Sequence, residues 1–329
     1  MNILVTGGAG YIGSHVVELL SKSGYKPIVY DNFSKGHIDA VSEDVQLVEG
    51  DIHDFSFLKH IMAEYEIDGV MHFAASSLVG ESMTDPGSYY YNNVAGTMGL
   101  MDAMREVGVD YLVFSSTAAV YGEPKTVPLT EEAETKPTNV YGRTKLMIET
   151  MLKDYDKAYG LKYVALRYFN AAGAAQLGNI GEDHTPETHL IPLVLQAALG
   201  KREQVAIYGT DYPTADGTCI RDYVHVEDLA AAHVLALQYL SQGGASKAYN
   251  LGSEQGYSVR EIITTAKKVT GRDFHVVEEK RRAGDPAILI ASSEKIKKEL
   301  NWQPLHSKLE DIIASAWRWH SGHPQGFAK

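Results

Sequence analysis

The chain has 329 residues, of which 44% are hydrophobic, and its formal net charge is −12 at pH 7. This length supports one large domain or two smaller ones, and the acidic balance argues against a general nucleic-acid-binding protein. No apolar run approaches the ~20 residues of a membrane span, no basic leader precedes the first predicted strand, and Cys219 is the only cysteine. We therefore expect a soluble cytoplasmic protein without disulfides that binds neither nucleic acid nor membrane.

The first predicted elements are typical of a dinucleotide-binding turn. An apolar run at residues 2–5 predicts a buried strand, and residues 14–21 have helical periodicity. Between them, Gly7, Gly10 and Gly13 follow the spacing G-x-x-G-x-x-G. Glycines in such a turn let a pyrophosphate approach the backbone at the helix N-terminus. The glycines alone are weak evidence, because strand–turn–helix units also use glycine for geometry.

Asp31 makes the prediction specific. It ends the next apolar run, at residues 27–31, about 20 residues beyond the glycines, where a carboxylate accepts from the ribose hydroxyls of a bound dinucleotide. A carboxylate there also repels a 2′-phosphate. The predicted cofactor is therefore NAD and not NADP.

Further apolar runs alternate with helical patterns, which predicts a doubly wound parallel α/β sheet. Ligands of such sheets lie outside the carboxyl ends of the strands. Asp51 follows one strand, where it is either a helix cap or an adenine contact. His72 reads as a packed core histidine, and Asn93, on a helix predicted from residue 89 to 105, either reaches the cofactor or faces solvent. The predicted strands are residues 45–49, 67–75, 111–115 and 163–168.

Three residues form a candidate acid–base group. Thr117 follows the predicted strand at residues 111–115. Tyr141 and Lys145 are four residues apart near the start of a helix predicted to reach about residue 159, so they share one helix face. A phenol with an ordinary pKa of about 10 is a poor base at neutral pH. A lysine cation one turn away, together with a positive nicotinamide ring, should lower that pKa, while the Thr117 hydroxyl holds the sugar oxygen.

These motifs, and others along the chain, resemble the extended short-chain dehydrogenase/reductases, within them most closely the nucleotide-sugar 4-epimerases. The glycine turn and the Tyr/Lys pair are common to the whole superfamily, whereas the segments at 216–229 and 282–285 are more specific to the epimerases. The matching segments are Thr6-Gly-Gly-Ala-Gly-Tyr-Ile-Gly-Ser-His15, Asp31-Asn32, His72-Phe-Ala-Ala75, Val79-Gly-Glu-Ser82, Tyr90-Tyr-Asn-Asn93, Phe114-Ser-Ser-Thr-Ala-Ala-Val-Tyr-Gly122, Tyr141-Gly-Arg-Thr-Lys145, Leu166-Arg-Tyr-Phe-Asn170, Tyr208-Gly-Thr-Asp-Tyr-Pro-Thr214, Asp216-Gly-Thr-Cys-Ile-Arg-Asp-Tyr-Val-His-Val-Glu-Asp-Leu229 and Arg282-Ala-Gly-Asp285.

The resemblance implies a UDP-sugar 4-epimerase that interconverts UDP-galactose and UDP-glucose through a 4-keto intermediate, acts in galactose metabolism and forms a homodimer. It implies that Tyr141 is the base, Thr117 its hydroxyl partner and Lys145 the group that tunes Tyr141 and holds the nicotinamide ribose. The implied NAD contacts, beyond Gly7, Gly10, Gly13, Tyr141 and Lys145, are Tyr11, Ile12, Asp31, Asn32, Asp51, Ile52, Phe73, Ala74, Ala75, Asn93 and Phe169. The implied substrate contacts, beyond Thr117 and Tyr141, are Asn170, His189, Leu190, Tyr208, Arg221, Arg282 and Asp285.

The chain departs from the family pattern at three points. Thr117 stands where many members have serine, which keeps the hydroxyl. Residues 75–78 read Ala-Ser-Ser-Leu where many members have a lysine, so a cationic contact is lost there. His189 stands where an asparagine commonly touches the substrate. Leu289 lies where the family places a residue that borders the sugar, so its size bears on whether an N-acetylhexosamine fits.

The second half is expected to form the substrate-binding part. We predict an NAD-binding Rossmann domain at 1–173, with segments near 225–252 packing back on it, and a smaller mixed α/β UDP-sugar-binding domain at 174–329. We expect no metal site: His320 and His323 read as part of a solvated tail. The predicted elements are a loop at 176–188, helices at 190–199, 225–242 and 259–269, the last capped by Ser258, and a strand at 249–252.

Three alternative functions remain open at this point. The first is a 4-epimerase that acts on UDP-N-acetylhexosamines or UDP-pentoses. The second is a nucleotide-sugar 4,6-dehydratase, but that branch carries an Asp-Glu pair after the threonine, where this chain has Ala118 and Ala119. The third is a non-catalytic NAD-sensing protein, which would have no need of Thr117, Tyr141 and Lys145.

Overall fold

The structure is a computed structural model that describes residues 1–124, 126–282 and 285–327. The β-strands are β1 (Asn2–Thr6), β2 (Lys26–Asp31), β3 (Gln46–Glu49), β4 (Gly69–His72), β5 (Tyr111–Thr117), β6 (Lys162–Tyr168), β7 (Asn170–Ala172), β8 (Gln204–Tyr208), β9 (Ile220–Arg221), β10 (Tyr223–His225), β11 (Lys247–Leu251), β12 (Tyr257–Ser258), β13 (His275–Glu279) and β14 (Ile288–Leu289). The α-helices are α1 (Tyr11–Lys22), α2 (Phe55–Glu64), α3 (Val79–Thr84), α4 (Pro86–Tyr89), α5 (Gly96–Val107), α6 (Val140–Tyr159), α7 (Leu190–Ala198), α8 (Val226–Ser241), α9 (Val259–Thr270), α10 (Glu294–Leu300) and α11 (Leu309–Gly322).

A parallel sheet of seven strands forms the centre of the molecule. Its strands lie in the order β11-β6-β5-β4-β1-β2-β3, and each neighbouring pair is parallel. The chain therefore winds outward from β1 in both directions, which confirms the predicted doubly wound α/β fold. The predicted strand at 249–252 is confirmed as β11, the edge strand beside β6.

Apolar side chains cover both faces of this sheet. On one face, residues of α1 and α8 pack against the strands in a fully buried cluster that includes Val16, Leu20 and Leu237. On the other face, α2, α5 and α6 pack in the same way, with Leu58 and Leu152 among their buried residues. The near-continuous apolar strands of the sequence follow from this burial on both sides.

The helix predicted from residue 89 to 105 differs from the structure in one respect that bears on function. The helical segment starts at Pro86, passes through a π-helical stretch at Tyr90–Ala95 and continues as α5 to Val107. A π stretch adds a residue to the turn and is frequent at functional sites. It places the Asn93 side chain fully in the protein interior.

Smaller sheets and helices form a second region around its own core. The strand pairs are β13 with β8, β10 with β7, and β9 between β12 and β14. Buried residues of α7, α9 and α11 join them in one cluster. As predicted, Ser258 caps α9, with its hydroxyl accepting from the Glu261 N–H at 3.1 Å while the Glu261 carboxylate accepts from the Ser258 N–H at 2.7 Å. The predicted loop at 176–188 contains no helix or strand.

The expectation of a solvated tail around His320 and His323 is wrong. His320 belongs to the last turn of α11 and His323 is the C-cap that follows it, and the apolar face of this helix is buried. Trp319 is 1% exposed, its ring stacks on His323 at 3.9 Å between centroids, and it also packs against Phe327. The alternation of apolar and polar residues over 309–322 is the helical signal that the prediction missed. No helix in the described part of the chain is both long and apolar enough to span a bilayer.

We expect the stability of the protein to depend on pH through His233. This residue of α8 is fully buried beside the Phe73 ring, 4.8 Å between centroids, and its Nδ1 donates to Leu229 O at 2.8 Å. Burial lowers the pKa of His233 to about 4, although the bond to Leu229 raises it. Because the unfolded chain binds this proton near pH 6.5, stability is complete above that pH and falls as the pH drops towards 4.

His233→Phe should remove this dependence, because the phenyl ring preserves the aromatic packing and Nε2 has no hydrogen-bond partner within the described residues. The stability of the variant relative to wild type should rise by up to ~1.4 kcal/mol per pH unit on acidification below pH 6.5. The measurement is urea unfolding at pH 7, 6 and 5 with the same saturating NAD. His60→Gln, at an exposed histidine, is the control. Parallel profiles for His233→Phe and wild type would contradict the argument.

Candidate active site

The glycine turn after β1 lies at the carboxyl edge of the central sheet. Gly7 has φ +73°, and a Cβ there would lie 2.5 Å from Ala74 N in the segment after β4. A Cβ at Gly13 would lie 2.2 Å from Gly7 O. Both glycines are therefore required by the fold itself, since they let the turn approach β4 and let α1 start against the turn.

Gly10 differs from the other two glycines. The nearest atom to a Cβ at this position is Gly7 O at 3.3 Å, so an alanine fits after a shift of a few tenths of an ångström. Gly10 precedes α1, whose N-terminus has no side-chain cap among the described residues. Free N–H groups beside a position without a side chain suit a pyrophosphate. The turn thus fits the dinucleotide that the sequence predicts, with the backbone of Tyr11 and Ile12 at the helix start.

We expect Gly10→Ala and Gly13→Ala to separate cofactor binding from folding. Gly13→Ala should destabilise the protein by at least ~1–3 kcal/mol, because the methyl group overlaps backbone that cannot move freely. Gly10→Ala should change stability by less than ~1 kcal/mol and weaken NAD binding by about tenfold or more. Unfolding without added NAD and NAD titration of both variants test this. Unchanged NAD affinity in Gly10→Ala would contradict the placement of the pyrophosphate.

Asp31 holds the same turn from the end of β2. It is 7% exposed, and its carboxylate accepts from Ala9 N at 3.0 Å and from Phe33 N at 2.9 Å. Burial raises the pKa of Asp31, while these two bonds lower it. Each carboxylate oxygen retains acceptor capacity, so the residue can order the loop and still accept from ribose hydroxyls.

Asp51 is not a helix cap. The cap of α2 is Asp54, whose Oδ1 accepts from Phe57 N at 3.0 Å. Asp51 instead accepts from Asn32 Nδ2 at 2.9 Å and from His53 N at 2.9 Å. Burial raises the pKa of Asp51, but these hydrogen bonds outweigh it and the pKa is lowered. The structure therefore excludes the helix-cap prediction, and the adenine contact stays a prediction. Asp51 and Asn32 form a polar pair beyond the ends of β2 and β3.

Asn93 does not face solvent. Its amide Oδ1 accepts from Ser76 N at 2.8 Å, and its Nδ2 donates to Ser76 O at 3.0 Å and to Thr144 Oγ1 at 3.1 Å. It therefore fixes the segment after β4 to α6, one residue before Lys145.

The other predicted cofactor contacts on this side are Phe73, Ala74 and Ala75, which follow β4 and are half-buried, and Ile52, which is buried. His72 is a packed histidine as predicted, between the Thr6 and Thr97 hydroxyls at 2.7 and 2.8 Å.

Thr117, Tyr141 and Lys145 come together between the end of β5 and the start of α6. Lys145 Nζ is 5.9 Å from the centre of the Tyr141 ring and donates to Ser115 O at 2.8 Å. The Asn139 side chain caps α6 by accepting from Gly142 N at 2.8 Å. The predicted sharing of one helix face is confirmed.

The predicted pKa of the phenol is wrong for the protein groups alone. Burial raises the pKa of Tyr141 to about 12, although the hydrogen bond with Thr117 lowers it. Burial also lowers the pKa of Lys145 to about 7, while Glu149 raises it. Burial thus has the largest effect on both groups, and the positive ring of a bound nicotinamide cofactor would favour the phenolate.

A buried ion pair below this group escaped the sequence analysis. Glu149, two turns after Tyr141 on α6, binds Arg167 of β6 through Oε1 to Nε at 2.9 Å and Oε2 to Nη2 at 2.5 Å. The same carboxylate accepts from Ser116 Oγ at 2.6 Å, and Arg167 Nη1 donates to the Tyr121 hydroxyl at 2.8 Å. The network fixes α6 to the strand that ends in Thr117. Tyr168, which hydrogen bonds to Ser115, is a second residue beside Tyr141 that the analysis missed.

The predicted substrate residues lie mostly in the second region. Arg221, on β9, is 14% exposed at its side chain and forms an ion pair with Asp285. The Arg282 guanidinium stacks on the Tyr208 ring at 4.0 Å from the centroid, and both residues are exposed. Asn170 Nδ2 donates to Asp222 O at 2.9 Å, next to Arg221. The structure thus groups Arg221, on β9, with Asp285, and Arg282 with Tyr208, at the end of β8.

The remaining predicted contacts are spread around this area. His189 and Leu190 stand at the start of α7, where the His189 Nδ1 lies 2.5 Å from Glu182 Oε1. Phe169 follows β6 and packs against a small buried cluster that includes Val120. Tyr11 donates its hydroxyl to Gly173 O at 2.7 Å, which joins the glycine turn to the start of the second region.

Comparisons with known proteins agree with this arrangement. The model of the NAD dependent epimerase/dehydratase family matches residues 3–252. The chain is 53% identical to the UDP-glucose 4-epimerase of Lacticaseibacillus casei, with 99% of each chain covered, and 55% identical to that of Halalkalibacterium halodurans, with 100% of this chain and 98% of the relative covered. The crystal structure of the UDP-glucose 4-epimerase from Brucella ovis in complex with NAD superposes with a TM-score of 0.94 at 51% identity, covering 96% of this chain and 97% of that one.

Proposed function

The chain belongs to the NAD dependent epimerase/dehydratase family, and from that premise we propose that it interconverts UDP-galactose and UDP-glucose with NAD as a resident cofactor. The observation that carries this proposal is the Tyr141 hydroxyl beside the buried Thr117, at the sheet edge that also carries the glycine turn. The relatives that support it are UDP-glucose 4-epimerases whose sequences are 52–55% identical to this chain over nearly their full length. The enzyme is formally an isomerase, since no net oxidation results.

The chain's own residues supply acid–base catalysis. Tyr141, as phenolate, takes the proton of the sugar 4-hydroxyl and later returns it, while Thr117 holds the same oxygen. Lys145 holds the nicotinamide ribose, and its positive charge favours the phenolate form of Tyr141 over the phenol. When bound, NAD supplies the hydride acceptor and donor, and its positive ring favours the phenolate.

Epimerisation requires that the 4-keto sugar presents both of its faces to the same side of the site. The UDP part must therefore be held firmly while the hexose is held loosely. Two arginines, Arg221 and Arg282, provide charge-assisted bonds to the diphosphate, and Asp285 accepts from the uridine part. The ion pair of Arg221 with Asp285 orients both side chains before substrate binds.

The remaining predicted contacts belong to the same proposal. For NAD they are Gly7, Gly10, Tyr11, Ile12, Gly13, Asp31, Asn32, Asp51, Ile52, Phe73, Ala74, Ala75, Asn93 and Phe169, and for the UDP-sugar they are Asn170, His189, Leu190 and Tyr208. We further propose a homodimer that works in the cytoplasm in galactose metabolism. The domain division at 173/174, with segments near 225–252 packing back on the first domain, is part of the proposal. One buried cluster joins the central sheet to residues 224–251 and 296–302, and a separate one holds α7, α9 and α11 together.

The test is incubation of the purified protein with UDP-galactose without added NAD, followed by separation of the hexose products. We expect UDP-glucose, which supports both the reaction and the resident cofactor. Conversion only of UDP-N-acetylgalactosamine or a UDP-pentose would keep the mechanism and change the substrate. No conversion of any of these, even with NAD supplied, would overturn the proposed reaction.

A further inference from the structure

Four side chains that can bind a metal ion meet in the loop before α7. Glu182, His184, Glu187 and His189 each offer one ligand atom, and these atoms all lie within 4.8 Å of one another. Glu182 Oε1 is 2.5 Å from His189 Nδ1 and 3.2 Å from His184 Nδ1. The Glu187 carboxylate is 3.7 Å from His189 Nδ1 and 4.0 Å from His184 Nδ1.

These distances fit one small cation. Nitrogen and oxygen ligands about 2.0–2.2 Å from a tetrahedral zinc ion lie about 3.4 Å from one another. The four separations named above range from 2.5 to 4.0 Å and bracket that value, so shifts of up to about one ångström would complete the tetrahedron. Two imidazoles and two carboxylates form a donor set that suits Zn²⁺, whereas Mg²⁺ and Ca²⁺ prefer oxygen ligands alone. The two carboxylates also balance the charge of the ion.

Burial distinguishes this cluster from an exposed acidic patch. The side chains of Glu182 and Glu187 are 3% and 5% exposed. His184 Nδ1 is buried, and although it lies 3.2 Å from Glu182 Oε1, it forms no hydrogen bond of good geometry among the residues described. Two buried carboxylates and an unsatisfied ring nitrogen cost free energy unless a cation or a proton lies between them.

The backbone around the cluster is fixed by contacts from other parts of the chain. Glu182 O accepts from Trp319 Nε1 at 3.2 Å, and Asp183 O accepts from His37 Nε2 at 3.1 Å. The Tyr11 ring stands edge-on to His184, 6.2 Å between centroids. Supported in this way, the ligands are held in place before an ion binds.

We propose that Glu182, His184, Glu187 and His189 bind one Zn²⁺, through Nδ1 of both histidines. The ion would fix this loop in place. One side of the loop contacts Tyr11, which follows the glycine turn, and the other side leads into the N-terminus of α7. Coordination through Nδ1 leaves His189 Nε2 as a hydrogen-bond donor of defined orientation. The proposal does not depend on the proposed reaction, because its test measures the metal.

The experiment is elemental analysis of the full-length protein after expression in zinc-supplemented medium and gel filtration. We expect about one zinc per chain in wild type and less than ~0.1 in His184→Gln and in Glu187→Gln, since each variant removes one ligand. His60→Gln, an exposed histidine 3.2 Å from Glu64, is the matched control and should keep its zinc. Zinc absent from wild type, or retained by both ligand variants, would overturn the proposal.

A second measurement needs no variant. After removal of metal with a chelator, one equivalent of Zn²⁺ should raise the Tm by roughly 3–6 °C, because an ion that binds only the folded state stabilises it. The same amount of Mg²⁺ should leave the Tm unchanged. An unchanged Tm with Zn²⁺ would contradict the proposed metal site, and the four side chains would then be a set of buried ion pairs. This result would count even if the ligand variants failed to fold.

Discussion

Tyr141→Phe should lower kcat by about 10²–10⁴-fold, which is the usual contribution of a positioned acid–base group. The substitution removes one oxygen from a partly buried ring and leaves the ring packing intact. Because the hydroxyl acts on the proton of the 4-hydroxyl and not on the nucleotide, binding of UDP and the NAD content should stay close to wild type. The measurement is the initial rate of UDP-galactose conversion together with UDP titration.

Tyr159→Phe is the matched control, since Tyr159 ends the same helix α6 and is 56% exposed. Its rate should equal that of wild type. A Tyr141→Phe rate within about tenfold of wild type, with UDP binding and NAD content preserved, would show that another group moves the proton. Tyr168, whose hydroxyl hydrogen bonds to Ser115 in the same buried area, would then be the next residue to replace.

Glu149→Ala should destabilise the protein by ~3–5 kcal/mol, because it leaves the buried Arg167 guanidinium without its anion. The side chains of Arg167 and Glu149 are only 6% and 2% exposed, so water cannot replace the lost partner. The Ser116 hydroxyl loses its acceptor at the same time. Urea unfolding at pH 7 with saturating NAD gives the free-energy difference.

Asp156→Ala provides the comparison, since Asp156 pairs with Lys162 at 2.5 Å between the same two elements, α6 and β6, with side chains 24% and 43% exposed. An exposed pair contributes less than ~1 kcal/mol, so this variant should unfold almost like wild type. The double variant Glu149→Leu with Arg167→Met should recover much of the loss, because no charge is then buried alone. Equal effects of Glu149→Ala and Asp156→Ala would refute the argument from burial.

Local patterns in the sequence predicted much of the central sheet and of the acid–base group. The glycine spacing, Asp31 at the end of β2 and the four-residue separation of Tyr141 from Lys145 all depend on the geometry of one strand or one helix. Such signals lie within a few residues of each other and do not require knowledge of the fold. The same holds for the Ser258 cap of α9, which is read from adjacent positions.

Features that depend on distant contacts escaped prediction. Glu149 and Arg167 lie on different elements, and nothing in either segment indicates that they pair. The π stretch that buries Asn93 adds a residue to an otherwise regular helical pattern. The pKa of Tyr141 was predicted from a neighbouring charge, whereas burial, which a sequence does not show, has the larger effect. The last helix is an exception, because its pattern of apolar and polar residues over 309–322 is local and the prediction missed it.

The single thiol of the chain makes one movement of the protein observable. Cys219 precedes β9, is 7% exposed, and burial raises the pKa of its thiol, although Arg221 lowers it. A thiol-modifying reagent can therefore react at one atom only, and only when this segment opens. Because Arg221 lies two residues further on, nucleotide bound there should slow the modification. The rate of labelling thus reports, without any engineered probe, how often the segment that carries Cys219 and Arg221 opens during turnover.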